Sequence, residues 1–222
     1  MDWTAFGLSF RLGFYTILIL LPVGILLGRL LAFSRFRGKG FAEASLALPL
    51  VLPPTVIGYY ILVGLGGASP IGQALQSAFG RGLVFTFEGL LVASVIINLP
   101  FAVQPMQRAF EAIAPDVREA ASVSGLSPLA VLTRIDLPLA WPDIVTGLVL
   151  AFAHTLGEFG VVLMVGGSIP GETKTVAISI YDRVQAFDHA SAGMMSLTLL
   201  ALSMAALGLT YALSARVGRH HA

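Results

Sequence analysis

The sequence predicts an all-α integral membrane protein with about five transmembrane helices, on three observations. The 222 residues are 56% hydrophobic and only 11% charged, whereas soluble domains carry about a quarter charged residues. The apolar residues gather into runs of roughly 20, the length that crosses a bilayer. Charges and turn residues concentrate in the stretches between those runs. Lipid must therefore cover surface that polar groups leave bare, and helices satisfy the backbone there most simply.

The first span runs from about Gly13 to Phe33, the second from Ala42 to Leu65 and the third from Val84 to Gln104. The fourth goes from Trp141 to Val165 and the fifth from Ala192 to Ser214. Arg35, Arg37 and Lys39 crowd the connection after the first span, which the positive-inside rule places in the cytoplasm. Alternation puts Arg108, Arg118 and Arg134 inside, with the tail bearing Arg216 and Arg219, and the N-terminus outside. Arg29, near the inner end of the first span, can snorkel to the interface. Outer loops hold Arg81 in one case, and Lys174 and Arg183 against Glu172, Asp182 and Asp188 in the other. His220 and His221 are assigned no role.

Composition also excludes functions. A net charge of +1 gives no footprint for nucleic acid. The absence of cysteine removes disulfides, zinc-thiolate sites and cysteine nucleophiles. Met1-Asp2-Trp3 lacks the basic start of a cleavable signal peptide. No composition break separates a soluble domain, so residues 1–222 read as one transmembrane domain. Without an obvious internal repeat, an inverted-repeat secondary transporter gains little support.

Two spans carry candidate pathway residues. Pro49, Pro53 and Pro54 interrupt the second span in "LPLVLPPTVIGYY", and interior prolines break helical hydrogen bonding. A kink near a gate and a kink that only serves packing both fit. Asn98, Pro100 and Pro105 give the third span the same ambiguity. In the fourth, His154 and Glu158 stand four apart, on one face of a helix, and ionisable groups in lipid are functional candidates. They can form a proton relay, or line a path where a carboxylate would repel an anion. Mutually bonded, they can hold the helix against its neighbours, with Gly157 and Gly160 allowing close packing. We prefer this last reading.

Residues 105–140 form the longest charged inner connection, centred on "EAASVSGLSPLAVLTRIDLP". Asp116 and Glu119 have capping-box spacing, with Pro115 just before. A short helix should follow through Ser124, with Gly125 as its left-handed terminator. Ser127 and Pro128 start a second short helix to about Arg134, and Pro138 and Pro142 restart the chain toward the membrane. Ala120 and Ala121, with Val117 a turn back, leave a low surface that a partner can approach, with Arg118 and Glu119 at its rim. An amphipathic helix resting on headgroups fits equally well.

Glu119-Ala120-Ala121, three residues, Gly125, nine residues, Ile135, one residue and Leu137-Pro138 resemble the EAA motif of permease subunits in binding-protein-dependent ABC importers. The resemblance implies a type I importer-like fold. It makes Glu119, Ala120, Ala121, Gly125, Ile135, Leu137 and Pro138 the contact with an ATPase. "LPLVLPPTVIGYYILV", "HTLGEFGVVLMVGGSIPGETKTVAISIYD" and the short length resemble molybdate permeases in particular. Sulfate permeases share the glycine-glutamate stretch but are longer, and tungstate remains open as a substrate.

The implied assembly has two copies of this chain, cytoplasmic ATP-binding subunits carrying ATP and Mg, and a periplasmic or lipoprotein oxyanion-binding protein. It lies in the bacterial inner membrane. No catalytic, metal or cofactor residue is expected on the chain itself. Neither Lys39 nor Lys174 completes a phosphate-cradling loop, because Phe33 stands where the first glycine before Lys39 would be. Pathway candidates are Pro53, Pro54, Asn98, His154 and Glu158. An ion-coupled transporter using His154 and Glu158, and a non-transporting scaffold, are the competing functions.

Overall fold

The structure is a computed structural model describing residues 1–218, so Arg219, His220 and His221 of the tail lie outside the described residues. Its helices are α1 (Trp3–Phe33), α2 (Lys39–Val51), α3 (Pro54–Leu65), α4 (Pro70–Phe79), α5 (Phe87–Glu111) and α6 (Pro115–Val123). After them come α7 (Pro128–Val131), a π turn (Leu132–Asp136), α8 (Leu137–Gly157), α9 (Gly160–Gly166), α10 (Val176–Gln185) and α11 (His189–Gly218). Among the described residues, four helical runs are long and apolar enough to cross a membrane, and the bent pair α2–α3 makes up to five.

The centre is a three-helix bundle of α1, α5 and α8, with α11 against α8 and α10, and α3 against α9. Leu20, Met106, Phe110 and Ile144 are buried where the three central helices meet. Small residues set the approach. A Cβ on Gly28 would lie 3.0 Å from the Gln107 backbone nitrogen, and one on Gly147 would lie 3.1 Å from the Phe101 carbonyl oxygen. Lipid tails give apolar helices no hydrophobic reason to associate, so close van der Waals packing at such residues does much of the holding. Leu18, Leu26 and Leu30 remain exposed on the far side of α1.

Helix α1 begins well before the expected Gly13 because Asp2 caps it, its Oδ1 accepting from the Ala5 amide at 3.1 Å. The other carboxylate oxygen accepts from the Ser179 hydroxyl of α10 at 2.8 Å. Ser9 Oγ accepts from the Val176 amide, also at 2.8 Å, serving the first turn of α10. The N-terminal end of α1 is thus tied to α10. Burial works against the charge of Asp2, but the Ala5 amide, the Ser179 hydroxyl and nearby Lys174 and Arg183 outweigh it. Together they hold the carboxyl below its ordinary range.

Two expected spans are broken. The second, read as running from Ala42 to Leu65, is two helices bent by 112°. Pro53 forces Leu52 into extended backbone, while Pro54 is well placed at the start of the next helix. Pro49 stays inside α2. The fourth span was expected to end at Val165, but its helix stops at Gly157 and restarts at Gly160. Glycine is a weak helix former, and extended backbone at Glu158 lets its carboxylate serve the next helix. At the other end the helix starts early: α7, the π turn and α8 run on as one rod from Pro128 to Gly157. The separate second short helix is absorbed into this rod, and Pro138 sits in its first turns instead of restarting the chain.

Two measurements test this packing. Gly28→Leu should destabilise the detergent-solubilised protein by about 1–3 kcal/mol through overpacking, while Gly7→Leu, with nothing within 4 Å, should leave the melting temperature nearly unchanged. Asp2 has a depressed pKa, so its contribution is present above its ordinary value of 3.8 and is lost as the pH falls through the folded value. Melting curves of Asp2→Asn should therefore lie below the parent at neutral pH and converge on it in acid.

Candidate functional site

The connection between α5 and the Pro128–Gly157 rod carries an exposed helix, α6, whose two ends are defined by specific residues. Pro115 occupies the first position of α6, which puts Asp116 inside the first turn rather than at the cap. The expected capping box therefore does not fit this register. The C-terminal end follows the expected pattern. Gly125 has φ +70, the Leu126 amide donates to the Ala121 carbonyl at 3.2 Å, and the Ser124 amide donates to that of Ala120 at 3.0 Å. This Schellman arrangement needs a residue in the left-handed region, where glycine has no steric penalty. Ser127 then caps the following rod, its Oγ accepting from the Ala130 amide at 3.2 Å.

The expected coupling residues do not share one surface. Glu119, Ala120 and Gly125 are exposed, but Ala121 is buried against its own chain. Leu137 packs on the central core and Ile135 is half-buried. Pro138 is exposed at the base of α8. Sequence reading passed over Val123 and Leu129, which are 89% and 69% exposed on either side of Gly125. Two large apolar side chains flanking a terminating glycine were the available signal.

Arg118 does not sit at a docking rim. Its guanidinium lies 3.4 Å from the centre of the Phe33 ring, with Nε 3.8 Å from Oδ1 of Asp136. Asp136 is fully buried, and its Oδ2 accepts from Arg29 Nε at 2.8 Å. Arg29, expected to snorkel to the interface, is an ion-pair partner of Asp136. The sequence reading assigned Asp136 nothing.

Within the bundle a polar network joins three helices. Thr16 of α1 donates to Ser94 Oγ of α5 at 2.9 Å. Asn98 Nδ2 donates to the Ser94 carbonyl at 2.8 Å and to Thr155 Oγ1 of α8 at 3.1 Å. Its Oδ1 lies 3.1 Å from His154 Nδ1. The His154 ring stacks on Phe101 with centroids 4.4 Å apart. His154 Nε2 and Glu158 Oε2 are 3.8 Å apart, longer than a hydrogen bond. The two residues are thus within ion-pair reach without sharing a hydrogen bond, because Glu158 caps the end of α8 and turns its other oxygen to the next helix. Its Oε1 accepts from the Val161 amide at 2.8 Å, capping α9.

The two broken spans meet at this point. A Cβ on Gly160 would lie 2.8 Å from Pro54 Cβ, and one on Gly58 would lie 2.8 Å from the Met164 side chain. Gly157 faces open space and provides no such packing. Val51 to Val56 are all exposed across the bend. Pro53, Pro54 and Glu158 thus gather around one discontinuity, with His154 a turn earlier on α8 and Asn98 facing it from α5. Around the connections expected outside, Arg81 pairs with Glu88 at 2.6 Å, Lys174 with Asp182 at 2.6 Å and Arg183 with Asp188 at 3.2 Å.

Residues 21–219 match the family model described as binding-protein-dependent transport system inner membrane component. The molybdenum transport system permease protein ModB of Azotobacter vinelandii is 48% identical over 206 residues, covering 90% of this chain and 91% of that one. Its counterpart from Escherichia coli strain K12 is 36% identical over 208 residues, covering 94% and 90%. Among solved structures, a bacterial alginate ABC transporter in complex with an alginate pentasaccharide-bound periplasmic protein has a TM-score of 0.77 at 18% identity. That likeness covers 96% of this chain and 78% of the other, and it fixes the fold alone.

The capping geometry separates the charge of Glu158 from its hydrogen bond. Glu158→Gln keeps an acceptor for the Val161 amide and should shift the melting temperature little. Glu158→Ala removes the cap and should cost about 0.5–2 kcal/mol, read by thermal unfolding in detergent.

Proposed function

Because the chain belongs to the family of binding-protein-dependent transport system inner membrane components, we propose that it is the permease subunit of an ATP-driven molybdate importer. The observation that carries this reading is the exposed, glycine-terminated α6, with Glu119, Ala120, Ala121 and Gly125 at EAA-motif spacing. The molybdenum permeases among its relatives supply the substrate. The chain is a multi-pass inner-membrane protein, with the N-terminus outside and α6 and the C-terminus in the cytoplasm. It moves the oxyanion without converting it.

Two copies form the path, and a cytoplasmic ATP-binding subunit seats α6 of each. Val117, Glu119, Ala120, Val123 and Leu129 make the docking face, while Ala121 supports it from behind. Full burial of a side chain such as Val123 contributes about 1.5–3 kcal/mol, so a few apolar contacts suffice for a dock that must follow the motor. ATP and Mg bind that partner subunit and none is needed here. An oxyanion-loaded periplasmic or lipoprotein partner engages the outer face.

Closure of the ATP-binding subunits displaces α6. Short links, Ala112–Ala114 and Ser124–Ser127, join it to α5 and to the Pro128–Gly157 rod, so both move as rigid bodies. The discontinuity at Pro53, Pro54 and Glu158 lies between these rods and the α3–α9 pair. Discontinuous helices are where transporters place substrate paths, and Pro53, Pro54, Asn98, His154 and Glu158 are the residues we assign there.

Gly125→Val tests the reading. A β-branched residue in the left-handed region is strongly disfavoured, so α6 should lose its ending and recovery of the ATP-binding subunit in affinity purification should fall at least tenfold. Uptake of molybdate into proteoliposomes should require ATP, with tungstate and sulfate compared as competitors for the binding protein. Uptake that follows a proton gradient and ignores ATP would instead assign the transport to His154 and Glu158.

A further inference from the structure

Two elements that the proposed stroke must move, α6 and the Pro128–Gly157 rod, converge with α1 on one carboxylate. Arg29 and Phe33 come from the inner end of α1, Arg118 from α6, and Asp136 from the π turn at the base of α8. Asp136 is fully buried while Thr133 and Arg134 beside it are exposed. The wide turn brings Asp136 inward, and single π turns inside helices often mark functional positions. One side of the carboxylate is engaged, by Arg29 at 2.8 Å. The other is open: Asp136 Oδ1 and Arg118 Nε are both buried, 3.8 Å apart, and neither makes a hydrogen bond.

Buried ionised groups are held when paired and hydrogen-bonded, and leaving one side unpaired is unfavourable. Here the missing bond would form if α6 shifted by about an ångström toward the base of α8, which is charge-assisted hydrogen-bond range. Phe33 lies under the Arg118 guanidinium at 3.4 Å and near that of Arg29 at 5.7 Å. The ring guides Arg118 as it moves and ties the contact to α1.

We propose that Asp136 is a latch, with Arg29 its fixed partner and Arg118 its closing one. Displacement of α6 makes or breaks the Arg118–Asp136 bond and so couples α6 to α1 and α8 together. The latch rests on the reading of α6 as the helix driven by an ATP-binding subunit. Arg118, Asp136 and Arg29 are positioning residues, since none is assigned to the substrate or to the partner's nucleotide.

The test uses the full complex with its ATP-binding subunits in proteoliposomes, supplied with molybdate-loaded binding protein. Molybdate taken up per ATP hydrolysed is measured for the parent, Arg118→Gln, Arg118→Lys and Asp136→Asn. Arg118→Gln should lower uptake per ATP at least fivefold, and Arg118→Lys, which keeps a cation, should restore most of it. A merely structural role would lower the yield of complex and leave uptake per ATP at the parent value, which would overturn the latch. Asp136→Asn leaves two cations facing each other and tests the same point where it folds. Arg118→Gln keeps the Arg29–Asp136 pair and carries the test where Asp136→Asn does not fold. If the parent chain recovers no ATP-binding subunit, the proposed function falls and the latch with it. If the parent couples and Arg118→Gln couples equally well, only the latch falls.

Discussion

The structure depends on one constraint: inside lipid, a backbone amide or carbonyl has no water to turn to. Long unbroken helices are the default answer, and α1, α5 and the Pro128–Gly157 rod follow it. Wherever the chain departs from helix, a specific group has to stand in. At the Glu158 break the carboxylate takes the Val161 amide. At the Leu52 break the prolines carry no amide to satisfy, and the Leu52 amide still reaches the Leu48 carbonyl. After Val165, its carbonyl accepts from the Phe85 amide at 2.9 Å, on the connection before α5. At each of these breaks the molecule has a substitute, and two of them lie where α3 meets α9.

Cohesion of the bundle comes from two sources of different strength. Individual hydrogen bonds between membrane helices contribute about 0.6 kcal/mol on average, so the network of Thr16, Ser94, Asn98, Thr155 and His154 stabilises by a few kcal/mol at most. Its larger effect is on register, because shifting one helix by a residue would strand several buried polar groups at once. Close contact at Gly24, Gly28 and Gly147 supplies the dispersion that lipid cannot replace. The central rods are therefore specifically registered and closely packed.

The apolar runs of α1, α5 and α11 were legible because every apolar stretch of sufficient length must go into lipid. Gly125 was legible because few residues besides glycine end a helix in the left-handed region. The breaks were harder. Apolar residues continue on both sides of Pro53 and of Glu158, so hydropathy reads straight through a 112° bend. His154 and Glu158 do face each other at 3.8 Å, but the end of α8 at Gly157 frees the other carboxylate oxygen for the next helix, which spacing alone does not reveal. Asp136 was illegible for another reason: its partner Arg29 lies 107 positions away. Nothing local separates a buried carboxylate from the many exposed ones. The inward turn of Arg118 follows from the same long-range contact.

The placement of this charge cluster answers a mechanical question. A helix that receives force through a docking face must grip its own chain, or it would slide over the bundle instead of turning it. The covalent links to α5 and α7 are only three and four residues long, and the Ala121 side chain is too small to hold much. At an effective dielectric of about 20, bringing Arg118 and Asp136 from 3.8 to 2.8 Å is worth about 1.5 kcal/mol. That shifts an equilibrium about tenfold, enough to bias two positions of α6 and too little to lock either. A tighter pair would freeze α6, and an exposed one would be screened and weak. A half-made bond beneath an aromatic ring would suit α6 in the proposed role, gripping during a stroke and letting go afterwards.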